Sequence, residues 1–259
     1  MKKRKILSLV FYFAVPLIMS GLTENRSQEI EDILNRVGEK TASYNKLDRF
    51  NINIISTLFT MDKEWKPTKI ESVEKVVTID GTRRTEEVIS AIEKKNGKVK
   101  DLTRKYQRDA QKAREKALKE PEEAQKRGRR DLDLTLKEYI PFTPTKRREF
   151  SFRLIGESQL GGQPIYLIGA TSLTESNEIW NGTYSIHKES FDILRAEISP
   201  SKKPGVLKQF RMELDFQILP GNYLALLKSK IRIHVGLVVK NIRVIAEESY
   251  SDYSFQLPD

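Results

Sequence analysis

Two histidines, His187 and His234, and a late acidic group, Glu247, Glu248 and Asp252, are the residues whose types could support metal or acid–base chemistry. Neither histidine has a second ligand at metal spacing. His187 falls in a predicted hairpin turn and His234 on the wet face of a predicted strand, which are structural or solvated positions. The acidic group could hold a cation, but it lacks the spacing of a calcium loop. It reads better as a solvated strand end. With no cysteine in the chain, disulfides and thiol chemistry drop out. No Gly-x-Ser-x-Gly elbow, phosphate loop or dinucleotide fingerprint occurs. The expectation is a protein with no catalytic residue, no cofactor and no metal. Carboxylate pairs for hydrolysis leave no mark in a single sequence, so an unrecognised hydrolase stays open.

What remains is chemistry without polar groups. A curved apolar surface can hold an acyl chain at about 0.8 kcal/mol per buried methylene. Ten methylenes give roughly 8 kcal/mol gross, before ordering costs. The candidates for lining such a cavity are Phe50, Ile52, Ile54, Phe152, Phe210, Met212, Leu214 and Phe216. A plain structural domain would use the same residue types for packing.

Strands must carry these side chains. Phe50, Ile52 and Ile54 alternate with asparagines, and Val73, Val77 and Ile79 share one face ahead of an Asp80-Gly81 turn. From Tyr139 onward the chain is almost all strand and turn. Phe150 to Leu154, Pro164 to Ile168, Trp180 to Ile186, Phe191 to Ile198, Phe210 to Ile218, Ile231 to Val235 and Ile242 to Phe255 each read as strands. Strict alternation gives each one dry face and one wet face. Ahead of them, Asn25 to about Leu47 reads as an amphipathic helix capped by Asn25, with Ile30, Ile33, Leu34, Val37, Tyr44 and Leu47 on one face. The predicted fold class is α+β, mainly β. It is a curved antiparallel sheet, an unclosed barrel, covering the N-terminal helix.

Two segments stand apart. Lys2, Lys3, Arg4 and Lys5 precede an apolar run from Ile6 to Met19, which is the pattern of a secretory signal peptide over residues 1–22. An uncleaved anchor is the alternative, and the lack of cysteine after the run speaks against a lipid anchor. Residues 23–259 are then expected to form a single periplasmic β-domain. The second segment is Arg83–Arg130, which holds seventeen Lys and Arg against nine Asp and Glu. Over 85–130 the apolar residues Val88, Ile92, Val99, Leu102, Tyr106, Ala110, Ala113 and Ala117 step by three and four, so a long basic helical insertion is expected, weakened at Asn96-Gly97. It is either a solvated insertion or an arm that touches an anionic membrane surface or an acidic envelope protein. Export makes nucleic acid an unlikely partner despite the formal charge of +10.

Several stretches carry a family resemblance: Tyr139-Ile-Pro-Phe-Thr-Pro, Phe150-Ser-Phe-Arg-Leu-Ile-Gly, Gly162-Gln-Pro-Ile-Tyr-Leu-Ile, the Trp180 to Arg195 hairpin and Tyr250-Ser-Asp-Tyr-Ser-Phe. They resemble uncharacterised members of the bacterial outer-membrane lipoprotein-sorting carrier superfamily, over about Asn25–Arg84 and Leu132–Asp259. The resemblance implies an unclosed β-barrel covered by helices, with an apolar cavity for lipid or lipoprotein acyl chains. The basic segment departs from that pattern, and no functional residue of the family is carried over. A non-enzymatic envelope sensing or scaffolding module is the competing expectation.

Overall fold

Ile33, Leu34 and Val37 lie on one side of a helix, α1 (28–43), and all three are buried. Each such side chain, taken from water, contributes about 1.5–3 kcal/mol. The structure is a computed structural model describing residues 28–119 other than 82, 139–203 other than 177, 205–237 and 241–255. The expected leader, the expected Asn25 cap and the basic residues beyond Lys119 lie outside the described residues.

The surface that α1 covers is one antiparallel sheet of eleven strands. In chain order these are β1 (Arg49–Met61), β2 (Pro67–Asp80), β3 (Arg83–Lys95), β4 (Lys98–Asp101), β5 (Phe150–Leu160), β6 (Gln163–Ser172), β7 (Trp180–His187), β8 (Ile193–Pro200), β9 (Leu207–Leu219), β10 (Tyr223–Gly236) and β11 (Asn241–Ser254). Their order across the sheet is β4-β3-β2-β1-β11-β10-β9-β8-β7-β6-β5. Two runs of hairpins, β1 to β4 and β5 to β11, are joined where β1 pairs with β11. The outermost strands do not pair with each other, so the barrel is not closed. Two further helices are described, α2 (Thr103–Lys119) and α3 (Pro144–Arg147).

The inner face of β5 to β9 packs on α1 as the main core. Ile168, Tyr184, Ile186, Ile193, Ile198, Met212, Leu214 and Phe216 meet Ile33, Leu34 and Val37 there. Ile140 and Phe142 are buried in the same core. The Phe142 ring lies 5.7 Å from Phe152 and 5.0 Å from Tyr184. Tyr184 donates its hydroxyl to the Tyr139 carbonyl at 2.6 Å. The helix is tied at both ends. Arg147 of α3 reaches Glu31 and Asn35, while Tyr44 donates to Asp192 at 3.0 Å beside the Lys40–Asp192 ion pair.

The basic segment differs from its expectation. Residues 83–95 and 98–101 are strands β3 and β4, and among the described residues of the segment helix is present only over Thr103–Lys119. Two local features imitate a helical pattern. Glu74 pairs with Ser90 and Lys75 with Val88, so Ile89 is an extra residue in β3. Such a bulge places residues three apart on one face; Val88 and Ala91 are both buried while Ile89 is exposed. Asn96 and Gly97 have φ of 50° and 73°. They form the tight turn of a hairpin rather than a weak point in a helix. The described part of the segment, 83–119, therefore does not project as an arm. Its strands belong to the sheet, and Leu102, Tyr106 and Ala110 pack against Val73, Val88 and Ala91.

Candidate functional site

Cross-strand partners share a face of a sheet, so the pairings locate the eight candidate residues. Ile54 opposes Tyr250, and Ser56 opposes Glu248. Glu248 opposes Ser229, which in turn opposes Leu214. Ile52 opposes Val77. The β1 candidates therefore lie on the same inner face as Phe210, Met212, Leu214 and Phe216. The structure does not bring all eight together, however. Met212, Leu214 and Phe216, with Phe152 and Phe210 at the margin, belong to the main core under α1. Ile52 and Ile54 form a second core with Val77 and Ile79, flanked by Phe50, Tyr250 and Tyr253.

A polar seam divides the two cores. The Glu248 carboxylate accepts from Ser56 Oγ at 2.8 Å and from the Tyr250 hydroxyl at 2.5 Å, and Ser229 stands in the same row. Burial, and then the Glu248 carboxylate, pushes the Tyr250 hydroxyl well above the ordinary phenol range. The Glu248 carboxylate is satisfied by its own neighbours.

Two open clefts border the cores. A cleft of about 400 Å³ lies beside α1, lined by Ile30, Leu34, Phe150 and Phe152 with Arg147 and Arg148 at its edge. The larger one, about 1030 Å³, is lined by Leu47, Phe50, Ile79, Tyr223 and Phe255 together with the polar and charged Asn45, Lys46, Asp48, Arg49, Asn51, Thr78, Asp80 and Ser254. Its position follows from the strand pairing. β10 pairs with β11 only from Lys228 onward, whereas β11 stays with β1 through Ser254. The sheet is parted between Tyr223–Leu227 and Tyr250–Ser254. Tyr253 bridges the parting by donating to the Leu226 carbonyl at 2.8 Å, and Tyr223 meets Phe255 edge-on at 5.2 Å. The α1–β1 connection crosses it, with Asn45 N–H donating to Asn222 O at 3.0 Å.

Of the sequence candidates, Phe50 and Phe152 line clefts, Phe210 packs on Trp180 at 5.5 Å, and the other five are buried. Tyr223, Phe255 and Ile79 were missed as lining residues. Tyr223 had one signal, its place just after the Pro220-Gly221 turn. The catalytic candidates stay apart. His187 sits in the β7–β8 turn, where its Nδ1 lies 3.1 Å from Ser190 N. His234 lies on the outer face against Trp65, and its Nε2 is buried without a partner. Glu247 pairs with Lys230 on the outer face, and Asp252 accepts from Asn53. Among the described residues no group of three acidic or imidazole side chains could hold a metal, and no helix is long and apolar enough to cross a membrane.

No family model and no curated protein matches the chain. Solved structures similar to it include a LolA superfamily protein of Nitrosomonas europaea, at 12% identity and a TM-score of 0.36 over 88% of this chain and 94% of that one. Another is a putative outer membrane lipoprotein-sorting protein domain of Vibrio parahaemolyticus, at 9% and 0.36 over 86% and 92%. A third is the Pseudomonas aeruginosa MucA/MucB complex, at 10% and 0.25 over 85% and 93%.

Proposed function

We propose that this protein is a non-enzymatic carrier that binds the acyl chains of a lipid or lipoprotein in the large cleft, and that it does so in the periplasm. The cleft itself carries the reading: about 1030 Å³, open, with Leu47, Phe50, Ile79, Tyr223 and Phe255 set among polar and charged lining residues. Those five side chains offer apolar contact to methylenes, worth about 0.8 kcal/mol each when buried. The Arg49–Asp80 pair at 3.1 Å leaves a polar edge for a headgroup or a modified cysteine. The main core is a poorer candidate, because α1 and Phe142 already fill it. That filling favours a second reading for the β5–β9 half, an envelope sensing or scaffolding surface. The leader motif supports the location.

Native mass spectrometry of protein purified from an envelope fraction tests carriage, with a co-purifying lipid expected. Titration with an environment-sensitive fluorescent fatty acid locates the site. Phe50→Glu should weaken probe binding by about tenfold or more, since it places a charge where methylenes would be buried. Phe152→Glu, at the small cleft, should leave it nearly unchanged. No probe binding by the intact protein would overturn the proposal.

A further inference from the structure

The chain's basicity has a specific address in the structure. Helix α2 carries Arg104, Lys105, Arg108, Lys112, Arg114, Lys116 and Lys119 against Asp109 and Glu115. Its inward side is settled by packing, because Leu102, Tyr106 and Ala110 face β2 and β3. With about 3.6 residues per turn, Lys105, Arg108, Lys112, Lys116 and Lys119 line up along one flank away from that seam, and all five are exposed.

The direction of α2 also matters. Leu102 N–H donates to Ala91 O at 2.8 Å, and five residues on Gln107 Nε2 donates to Val88 O at 3.0 Å. The helix therefore runs back along β3 towards Arg83. Arg83 opposes Asp80, and Asp80 is on the rim of the large cleft. Seventeen helical residues span about 25 Å, and the eight residue steps of β3 from Ala91 to Arg83 cover a similar length, about 26 Å. The helix lies on the same inner side of the sheet as the cleft, since Val73 under it shares a face with Val77 and Ile79.

We infer that the exposed flank of α2 is a docking surface for an anionic bilayer. A row of five cations at helical spacing complements a plane of phosphate headgroups. The apolar seam of α2 packs on the sheet through Ala110 and continues only as the small, exposed Ala113 among the described side chains, too little to insert, so binding is peripheral and reversible. Docking by this flank turns the cleft-bearing side of the sheet towards the membrane. The inference stands apart from acyl-chain binding, since it concerns headgroup charge and a different element.

The test is co-sedimentation of the intact protein with vesicles of phosphatidylcholine alone or with about a quarter phosphatidylglycerol, at about 50 and about 300 mM salt, where screening differs strongly. Binding is expected only with phosphatidylglycerol and should fall at the higher salt. Since each basic residue near such a surface contributes about a factor of five, Arg108→Glu, Lys112→Glu, Lys119→Glu should reduce it by at least about tenfold. The neutral set Arg108→Gln, Lys112→Gln, Lys119→Gln should fall between. A charge-matched control, Lys66→Glu, Lys202→Glu, Lys203→Glu, should keep most of the binding. Equal loss in the control, or no loss in the α2 variants, overturns the inference. Retention on immobilised polyglutamate with no vesicle binding would also overturn it, assigning the flank to an acidic protein. A protein that binds the fatty-acid probe but not vesicles loses only the docking surface.

Discussion

Gly38 of α1 lies against the backbone of Phe142, so closely that a methyl group at Gly38 would stand 2.9 Å from the Phe142 carbonyl oxygen. Alanine in a helix is normally worth about 1 kcal/mol over glycine. Here the clash is with backbone, and overpacking of this kind costs about 1–3 kcal/mol. Gly38→Ala should therefore destabilise the protein despite its better propensity. The midpoint of urea unfolding should drop, and a rise would show that Phe142 yields freely.

Tyr184 is fully buried and its hydroxyl is the partner of the Tyr139 carbonyl. Tyr184→Phe keeps the ring contact with Phe142 but removes the hydrogen bond to that carbonyl. A hydrogen bond of this kind contributes about 0.5–1.5 kcal/mol. Denaturant titration of the pair should show a loss of that size with little change in the slope.

Stability should decline at alkaline pH. Burial raises the hydroxyls of Tyr44, Tyr184, Tyr250 and Tyr253 well above the ordinary phenol range, helped at Tyr44 by Asp192 and at Tyr250 by Glu248. A raised acid is one the folded state keeps protonated. Its contribution is complete below the unfolded value of about 10 and is lost as pH rises above it. Phenolate absorbance should show these four titrating only as the protein unfolds. Tyr253→Phe should shallow the alkaline decline by one proton's worth of slope.

Gly97 has φ of 73° in the β3–β4 turn. Gly97→Val should cost about 1–2 kcal/mol, the penalty of a left-handed conformation for a residue with a Cβ. The same change in a helix interior would cost little, so thermal unfolding of this variant also checks that the segment is a hairpin.

The strands of the second half were legible because alternation over β9 is unbroken and turns such as Pro220-Gly221 punctuate it. The first half was harder to read. One extra residue at Ile89 turned a strand period into a helical one, and Asn96-Gly97 is a hairpin signal that resembles a helix defect. The strand pairings put the candidate residues on the inner face, and a shared face is readable in sequence because period two is a local property. Their division between two cores was not legible. It depends on Glu248, Ser56 and Ser229 falling in one row, and that register joins strands far apart in the chain. The large cleft was hidden for the same reason, because it lies where β10 and β11 cease to pair.

Nine of the ten strand pairings join consecutive strands, and one, β1 with β11, joins residues such as Ser56 and Glu248 that are 192 positions apart. Among the strand pairings, the entropy of closing long loops is thus concentrated in this one seam. Each meander can form by local hairpins as it is synthesised, but β1 keeps a bare edge until β11 arrives. That edge is a ready template for pairing with another chain. Slow assembly and the risk of aggregation should both trace to this seam, and the two halves of the inner face become one surface only in the last step of folding.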